Sequence, residues 1–384
     1  MNLKPFKDVL TREFGIFFTT PSLLLICIGA PLLFAFMFSA LYYNRRAADI
    51  NIGIVNADNS LMSRKLVRDF DACAELKVAM KPASADEAYK NIFRSDIGAF
   101  CFIPKNFSAS LKKGQSAPAF NAADASSFII SSNVLKKFSM ISMSFSEKQF
   151  VKTLTDKGYS YNAAKASVSP LRAVPSYIFN TEMNYSDFLI PVLFFAVLQQ
   201  ILLVSICTTI ITDKRPGKRK ELRNASKGSF AAAVFGKITP YCCAGMALVA
   251  AYAFTALPVN NIFVVSCAGY FFLSTAFIIA VASFAVLISS FFKSQEMAMS
   301  VLMFYAMPAV LLSGFAWPRQ ELPAILKAVS CFLPSTYALS ELRLFILGDI
   351  SVKYALIPAA ELLAFAALCF LLSFFLSGKR FGQR

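Results

Sequence analysis

Six apolar stretches, each about 20 residues or longer, limit what this chain can fold into. A helix of about 20 apolar residues is long enough to cross the roughly 30 Å hydrocarbon core of a bilayer. Hydrophobic residues make up 57% of the chain and charged residues only 16%, against about 25% charged residues in typical soluble domains. The sequence therefore predicts an α-helical membrane protein with six transmembrane helices. Their predicted bounds are 22–43, 188–211, 230–257, 262–292, 297–316 and 354–376.

The positive charges of the short connections predict how the spans are oriented. The chain has 38 Lys and Arg against 22 Asp and Glu, a net charge of +16, and cytoplasmic loops of membrane proteins are rich in Lys and Arg. With residues 1–21 inside, the basic residues of 213–228, Lys293 and the tail 377–384 all face the cytoplasm, whereas the loop 258–261 on the other side has no charge. We therefore expect both termini in the cytoplasm, and we interpret the basic charge as a topology signal that does not require nucleic acid as a partner.

Residues 44–187, between the first two predicted spans, have the composition of a soluble domain. Short apolar runs bounded by turn formers alternate with helical patterns, which predicts a small α/β layer. The predicted strands are 51–56, 76–80 and 97–103, with a fourth candidate near 118–121, and the predicted helices are 60–72 and 84–93. Because long domains are translocated regardless of their own charge, we expect this insert to be extracytoplasmic.

A long amphipathic helix is predicted at the end of this insert, from 124 to about 154. Apolar residues recur there at steps of three and four, which places them on one face of a helix. These residues are Ile130, Val134, Phe138, Ile141 and Phe145.

Several kinds of chemistry are excluded or disfavoured by missing residues. The chain has no His and no G-x-x-x-x-G-K-[ST] motif, so His-based catalysis, most zinc or iron centres and ATP hydrolysis through a phosphate-binding loop are excluded. A membrane-embedded enzyme is disfavoured because the spans contain no paired carboxylates. We expect no catalytic residue, metal or cofactor in this chain, and any ATP and Mg²⁺ to be used by a partner subunit.

The nine Cys residues do not form a metal or disulfide framework by their spacing, since no CxxC occurs. Six of them fall in apolar stretches. Cys73 and Cys101 are the two thiols of the predicted external domain. In an oxidising compartment the sequence leaves both a disulfide between them and a pair of free thiols open.

The densest charge cluster is the connection 213–228 between the second and third spans. It has two compatible interpretations, a positive-inside anchor and a docking surface for a cytoplasmic motor. The residues concerned are Lys214, Arg215, Gly217, Lys218, Arg219, Lys220, Glu221 and Arg223. The N-terminal segment 3–18 mixes charged and apolar residues in the manner of a helix lying in the membrane interface. It is either an anchor or a lever that links a partner to the first span.

Polar residues inside the predicted spans are the other candidates, because a charge at the bilayer centre costs at least about 2.5 kcal/mol on insertion. Glu361 lies in the sixth span, and Gln199 and Gln200 lie in the second. Glu361 is either a substrate-contacting residue or a hydrogen-bonded structural residue near the outer interface. Lys237, near the start of the third span, is interpreted as a side chain that snorkels to the interface.

Prolines interrupt the connection between the fifth and sixth spans, where a straight helix cannot continue. We predict short re-entrant helices over 317–335 at the outer face, with aromatic residues at the level of the lipid headgroups. The residues that define this region are Gly314, Trp317, Pro318, Pro323, Pro334 and Tyr337.

Taken in order, these segments resemble the membrane subunits, or permeases, of type-2 ATP-binding-cassette exporters. The resemblance covers nearly the whole chain and is to the version with a large extracytoplasmic domain after the first span. It rests on the segments 7–21, 52–58, 103–108, the basic loop with Gly217, and the Gly and Pro series within 313–343. Unlike the family's usual loop, with several acidic residues around the Gly, this one has Glu221 nearly alone among Lys and Arg.

The resemblance implies a half-transporter in a cell inner membrane, in which two permeases, identical or paralogous, pair with two cytoplasmic ATPase subunits. It implies that 213–228 is the coupling loop, 3–18 the connecting helix and 317–335 the re-entrant outer helices. We expect export by alternating access, with a periplasmic adaptor as a further candidate partner. Phe194 and Phe195 would line a pathway between the permeases, for an amphipathic, drug-like or lipid-like substrate. The alternative is a non-transporting envelope scaffold or receptor with a periplasmic binding domain, although six spans exceed what an anchor needs.

Overall fold

The computed structural model of the chain describes residues 4–42, 49–113, 115–126, 128–168, 179, 185–315 and 317–378. These residues form two compact units, one of Met1–Arg45 with Tyr177–Arg384 and one of Arg46–Ser176. Of the predicted tail 377–384, the residues after Gly378 lie outside the described part of the chain.

The first unit begins with two successive helices. Helix α1 (Lys4–Thr19) buries Val9, Glu13 and Phe17 at steps of four residues, which places these three side chains on one face. Helix α2 (Pro21–Leu41) starts with a proline, for which the first helical position is favourable, and contains one π-helical turn. In extent, α1 and α2 correspond closely to the predicted segments 3–18 and 22–43.

The second unit is a mixed four-stranded sheet with helices. In chain order its elements are β1 (Ile50–Asn56), α3 (Leu61–Asp71), β2 (Leu76–Met80), α4 (Ala85–Phe93), β3 (Ala99–Ile103), α5 (Phe107–Lys112), β4 (Phe120–Ala123), α6 (Phe128–Asp156) and α7 (Tyr161–Val168). The strand order is β2-β1-β3-β4, in which β1 pairs in parallel with β2 and β3 while β4 is antiparallel to β3. The predicted alternation of strands and helices is confirmed.

The sheet is covered on both faces. Helices α3 and α6 bury Phe70 and Phe138 against one face, with their rings edge to face at 5.1 Å between centroids. Helix α4 packs Ala88 against the other face. The predicted apolar stripe on α6 is confirmed, because three of its residues are buried and Ile141 is half-buried. The side chain of Ile130 is not among those that the structure describes. The buried residues of the stripe are Val134, Phe138 and Phe145.

Local capping explains where α3 and α4 begin. The hydroxyl of Ser60 accepts a hydrogen bond from the backbone N–H of Ser63 at 3.1 Å, and Ser84 accepts one from Glu87 at 3.2 Å. The Glu87 carboxylate in turn accepts from the backbone N–H of Ala83 at 2.7 Å. Such caps satisfy backbone donors that have no partner within the helix.

The remainder of the first unit is helical. Its elements are α8 (Tyr185–Thr212), α9 (Pro216–Ala225), α10 (Phe230–Val259), α11 (Cys267–Phe291), α12 (Gln295–Leu311), α13 (Ala324–Ser330), α14 (Ser335–Leu347) and α15 (Val352–Gly378). Helices α2, α8, α10, α11 and α15 are long and apolar enough to cross a membrane. The predicted span 297–316 corresponds to the shorter α12, whose 17 residues reach about 26 Å at about 1.5 Å per residue. The described residues thus contain five candidate spans, and the sixth stays a prediction.

Helix α11 lies at the centre of this unit. It packs against α8, α10, α14 and α15 and buries Tyr270 and Phe277 completely. Gly269 lies against the ring of Phe345 on α14, so closely that an added Cβ atom would overlap the ring. The core of the unit therefore depends on α11 and on the close approach of its neighbours.

Candidate functional site

A buried ion-pair cluster lies where α1, α8, α9 and α10 meet. The ammonium group of Lys237, on α10, donates to Oε2 of Glu13 at 3.0 Å and to Oδ2 of Asp213. All three residues are buried, and Lys237 is only 3% exposed. The prediction that Lys237 snorkels to the interface is wrong, because its charge is neutralised inside the protein by two carboxylates.

Arg12 and Glu221 extend this cluster to the surface. The Arg12 guanidinium donates to Glu13, and its Nη1 lies 3.5 Å from Oδ2 of Asp213. Its Nη2 lies 3.5 Å from Oε2 of Glu221 on α9. Burial opposes the charged guanidinium, but Asp213 and Glu13 outweigh that effect and the pKa of Arg12 is raised. Arg12, Glu13, Asp213, Glu221 and Lys237 are called the Lys237 cluster below.

The predicted coupling loop 213–228 is largely a helix, α9. Pro216 occupies its first helical position, where the missing N–H costs nothing. Leu222 is the buried residue of α9 and packs with Val9 of α1 and Ala233 of α10. Several of the predicted docking residues are exposed, whereas Arg219 and Arg223 make further interactions. The exposed ones are Lys214, Arg215, Gly217, Lys218, Lys220 and Glu221.

Helix α1 packs unusually close to α10 at Gly236. A Cβ atom added there would lie 2.7 Å from Cγ1 of Val9 and 3.3 Å from the backbone nitrogen of Leu10. Only a residue without a side chain permits this approach. The glycine therefore lets α1 come near enough for Glu13 to reach Lys237, one residue further along α10.

Lys214 has a structural role that the sequence did not indicate. Its ammonium donates to the backbone carbonyl of Phe292 at 2.8 Å and to that of Ser289, at the C-terminal end of α11. A cation at this end of a helix is favourable because the last carbonyls lack partners within the helix. Two of the three N–H donors of Lys214 are thus already used within the chain.

The two glutamines predicted in the second span join α8 to α12. Gln199 Nε2 donates to the Tyr305 hydroxyl at 3.3 Å, and Gln200 Nε2 donates to the Leu302 carbonyl at 2.8 Å. Their side-chain oxygens are buried and have no hydrogen-bond partner among the residues that the structure describes. The pair therefore connects two helices and keeps two unused acceptors.

Phe194 and Phe195 lie inside the core of one chain and not on an exposed face. The Phe194 ring stacks on Tyr252 at 3.8 Å between centroids, and the Phe195 ring packs edge to face with Tyr270 and Phe277. In this conformation neither ring lines the surface between two permeases. Their role in a substrate pathway stays a prediction.

Glu361 is exposed on α15. It makes no hydrogen bond or ion pair with any residue in the described part of the chain, so the interpretation of Glu361 as a hydrogen-bonded structural residue finds no support. An exposed carboxylate on an apolar helix is costly in hydrocarbon. Glu361 therefore stays a candidate for contact with a substrate.

Each proline of the predicted outer region immediately precedes a helical element. Pro318 precedes a 3₁₀ turn, Pro323 precedes α13, and Pro334 precedes α14. Gly314 has a φ of +85°, which favours glycine. The Tyr337 hydroxyl donates to the Cys331 carbonyl at 2.9 Å, and Trp317 is exposed. The 3₁₀ turn and α13 are short as predicted, but α14 begins only at Ser335, where the predicted region ends. Whether these helices re-enter a bilayer stays a prediction.

Sequence reasoning did not pair Lys237 with Glu13 and Asp213. The available signal was Lys237 itself, because a charge in an apolar helix requires a partner. Acidic residues occur in the segments 3–18 and 213–228, which are predicted on the same side of the membrane as the start of α10. Among the described residues no group of three or more His, Cys, Asp or Glu could hold a metal ion. The Lys237 cluster is a charged connection between α1, α9, α10 and the end of α8.

A helical unit with five candidate spans and a buried ion-pair cluster is typical of a membrane protein with several spans. The sequence matches the family described as ABC-2 family transporter protein over residues 21–375, and the chain belongs to this family. Membership implies an ATPase partner within an ABC transporter.

Two curated relatives are similar over a shorter stretch. Over 84 residues the chain is 34% identical to the "Probable multidrug ABC transporter permease YbhS" of Escherichia coli (strain K12), and equally to that of Escherichia coli O157:H7. The aligned stretch covers 21% of this chain and 22% of each relative. The chain therefore matches about a fifth of the length of these relatives.

Proposed function

We propose that this chain is the permease subunit of an ATP-driven exporter that moves an amphipathic, drug-like or lipid-like substrate out of the cytoplasm or the inner leaflet. Membership of the ABC-2 family supports the transporter part of this proposal. The observation that carries the ATP-driven part is the Lys237 cluster, because its buried charges join α1 to α10 and the exposed Glu221 of the basic helix α9 lies 3.5 Å from Arg12 of α1. A non-transporting scaffold is not favoured by any feature of the structure.

The proposed coupling path starts at the exposed lysines of α9, Lys218 and Lys220, which contact the ATPase. Movement of α9 reaches α1 through the Leu222–Val9 contact and the Glu221–Arg12 ion pair. It reaches the span α10 through Lys237 and its two carboxylates. Rigid helices joined in this way move as a unit and not one by one.

The rest of the assembly follows as part of the same proposal. Two permeases, identical or paralogous, associate with two ATPase subunits that bind ATP and Mg²⁺, while this chain holds no cofactor. Both termini lie in the cytoplasm of the inner membrane, and the unit 44–187 lies on the other side, where it contacts a periplasmic adaptor. The basic residues of α9 support this orientation, because cytoplasmic connections are rich in Lys and Arg.

The substrate class is proposed from the side chains within the membrane unit. Gln199 and Gln200 offer two unused acceptors between α8 and α12, and Glu361 offers an exposed carboxylate. Ligand sites combine apolar walls with a few polar groups of this kind. The buried Phe194 and Phe195 would reach the substrate only in a state in which these helices have moved apart. The word multidrug in the relatives' names agrees with this class.

The proposal is tested by charge reversal on α9. The permease is co-purified with its ATPase, and ATP turnover and ATP-dependent export of a lipophilic dye from proteoliposomes are measured. Replacing Lys218 and Lys220 by Glu is expected to reduce ATPase retention and export at least about tenfold, because exposed lysines set electrostatic complementarity at an interface. Arg219 is left intact because it interacts with other residues.

A matched control applies the same charge change elsewhere. Lys148 and Lys152 are exposed on α6 in the other unit, and their replacement by Glu is expected to leave both readouts unchanged. Normal coupling in the α9 variant would contradict the docking role. Failure of the native permease to retain any ATPase subunit after gentle solubilisation would instead favour the scaffold alternative.

A further inference from the structure

A pocket of about 400 Å³ opens where the end of α8, the end of α11 and the start of α12 come together. This volume falls within the roughly 300–1,000 Å³ of small-molecule sites. Its wall is mostly charged or polar, and three cations face one carboxylate. The residues that matter are Lys214, Arg215, Lys293, Ser294, Gln295 and Glu296.

The cations of this pocket are available to a ligand. Arg215 and Lys293 are exposed and make no ion pair with any residue in the described ranges. Lys214 is fixed in place by the Phe292 and Ser289 carbonyls and keeps one of its three N–H donors. Three cations outnumber the one carboxylate of the pocket, and like charges held together repel each other, so the pocket favours an anion.

The position of the pocket indicates which anion it takes. Thr212 ends α8, Phe291 ends α11 and Gln295 begins α12, so the pocket lies at the ends of apolar helices, at the level of the lipid headgroups. Two large apolar side chains lie close to the lining residues in the sequence, at the end of α11 and the start of α12. Phe291 is 66% exposed and Met297 is 61% exposed. A headgroup phosphate in the basic pocket would place acyl chains along these side chains.

We infer that this pocket binds the headgroup of an anionic phospholipid of the inner leaflet. Basic pockets between membrane helices on the cytoplasmic side are suited to such headgroups. The bound lipid would neutralise Arg215 and Lys293 and hold α8, α11 and α12 together beside the start of α9. The inference depends on the proposed orientation of the spans but not on which substrate is exported.

The test is lipid retention by the full chain in detergent, measured by native mass spectrometry without ATPase or ATP. Dioleoylphosphatidylglycerol is titrated against dioleoylphosphatidylcholine, which has the same acyl chains. We expect at least about tenfold tighter binding of the anionic lipid, in line with the attraction of basic clusters for such headgroups. Replacing Arg215 and Lys293 by Gln is expected to remove that preference.

The control variant replaces Lys218 and Lys220 by Gln, which removes two charges from the exposed part of α9 outside the pocket. We expect it to keep the lipid preference. Equal loss in both variants, or no loss in the pocket variant, would overturn the inference. The elution volume and thermal unfolding temperature of each variant show whether it is folded.

Two further experiments distinguish binding of the lipid from binding of other anions. Inorganic phosphate at millimolar concentration is not expected to displace phosphatidylglycerol, and displacement would overturn the assignment to a lipid. If the Arg215 and Lys293 variant keeps its lipid but fails to retain the ATPase, the pocket takes an acidic segment of that partner instead. Absence of ATP-dependent export by the native permease, with its lipid binding intact, would count against the proposed function alone.

Discussion

The Lys237 ammonium lies 3.0 Å from Oε2 of Glu13, and both side chains are buried. This ion pair joins α10, a helix long and apolar enough to cross a membrane, to the N-terminal helix α1. Because the partners are 224 positions apart in the chain, it fixes the tertiary arrangement and not a local turn. Asp213 binds the same ammonium, so the end of α8 belongs to the same junction.

The first prediction concerns the loss of this ammonium group. Lys237→Met removes the ammonium that balances the buried carboxylates of Glu13 and Asp213. Removing one partner of a buried ion pair typically lowers the free energy of unfolding by about 3–5 kcal/mol. We expect a lower thermal unfolding temperature in detergent and weaker coupling of ATP turnover to export. The double variant Glu13→Gln with Lys237→Met is expected to be more stable than the single variant, because one buried charge has gone with its partner. Lys220→Met, on the exposed part of α9, serves as the control for the unfolding temperature, and an equal decrease there would contradict the prediction.

The second prediction concerns Gly236 and Val9. Gly236→Ala places a Cβ atom 2.7 Å from Cγ1 of Val9, so α1 must move outward, at a cost of about 1–3 kcal/mol for an overpacked contact. Adding Val9→Ala removes the obstructing methyl groups and is expected to restore part of the stability. Thermal unfolding of the single and double variants measures both effects.

Gly217 on α9 provides the control for this substitution. A Cβ atom there meets nothing within 4 Å, so Gly217→Ala is expected to leave the unfolding temperature unchanged or slightly raised, since Ala favours helix more than Gly. If Gly236→Ala were as stable as Gly217→Ala, close packing of α1 on α10 would not be required.

The α/β unit was largely predictable from the sequence because its signals are local. Ser60 and Ser84 are helix caps that act within three residues, and the spacing of Val134, Phe138 and Phe145 depends only on helical geometry. The predicted strand 76–80 coincides with β2. The strand order and the parallel pairing of β1 with both neighbours came from the structure, since pairing joins distant segments.

The candidate site was only partly predictable, for the same reason. The charge density of 213–228 indicated the segment that contains Asp213 and Glu221 of the Lys237 cluster. It did not indicate that most of this segment is the helix α9. Lys214 was grouped with the docking residues although it caps α11, a helix that ends more than seventy positions later. Glu221 looked isolated in sequence, and only the tertiary structure brings Arg12 within 3.5 Å of it.

The third prediction concerns Cys73 and Cys101, both of which are free thiols in the structure. Cys101 is fully buried on β3, and burial raises its pKa to about 12. Burial also raises the pKa of Cys73, with the neighbouring Glu75 carboxylate as a further cause. Because the thiolate is the reactive form, we expect slow alkylation of Cys73 and alkylation of Cys101 only after unfolding.

Peptide mapping by mass spectrometry under non-reducing conditions measures these two reactions and detects any disulfide. A linked Cys73–Cys101 peptide would contradict the free thiols. With a membrane-impermeant maleimide added to intact spheroplasts, Cys73 is expected to react from the outside. Reaction only after the membrane is opened would contradict the proposed orientation.

The last prediction is a pH dependence of the α/β unit at Glu75. This carboxylate accepts a hydrogen bond from the Cys73 thiol at 3.0 Å and from the Lys137 ammonium at 2.6 Å. These two contacts lower its pKa from 4.5 to about 2. A carboxyl group with a lowered pKa in the folded state stabilises that state above its ordinary pKa, and the contribution is lost as the pH falls through the folded value.

Glu75→Gln cannot ionise, so the variant should be less stable than the native chain at neutral pH. The pair is partly exposed, and we expect a difference of about 1 kcal/mol or less. The difference should shrink from about pH 4.5 to about pH 2 as Glu75 becomes protonated. Amide hydrogen exchange of peptides from β2 and α6, compared at equal pH, measures it. Glu147→Gln is the control, because it removes a carboxylate of α6 that has no ion pair among the described residues, and it should show no such pH dependence. If the stability difference for Glu75→Gln were constant across the whole pH range, the charge of Glu75 would not stabilise the unit.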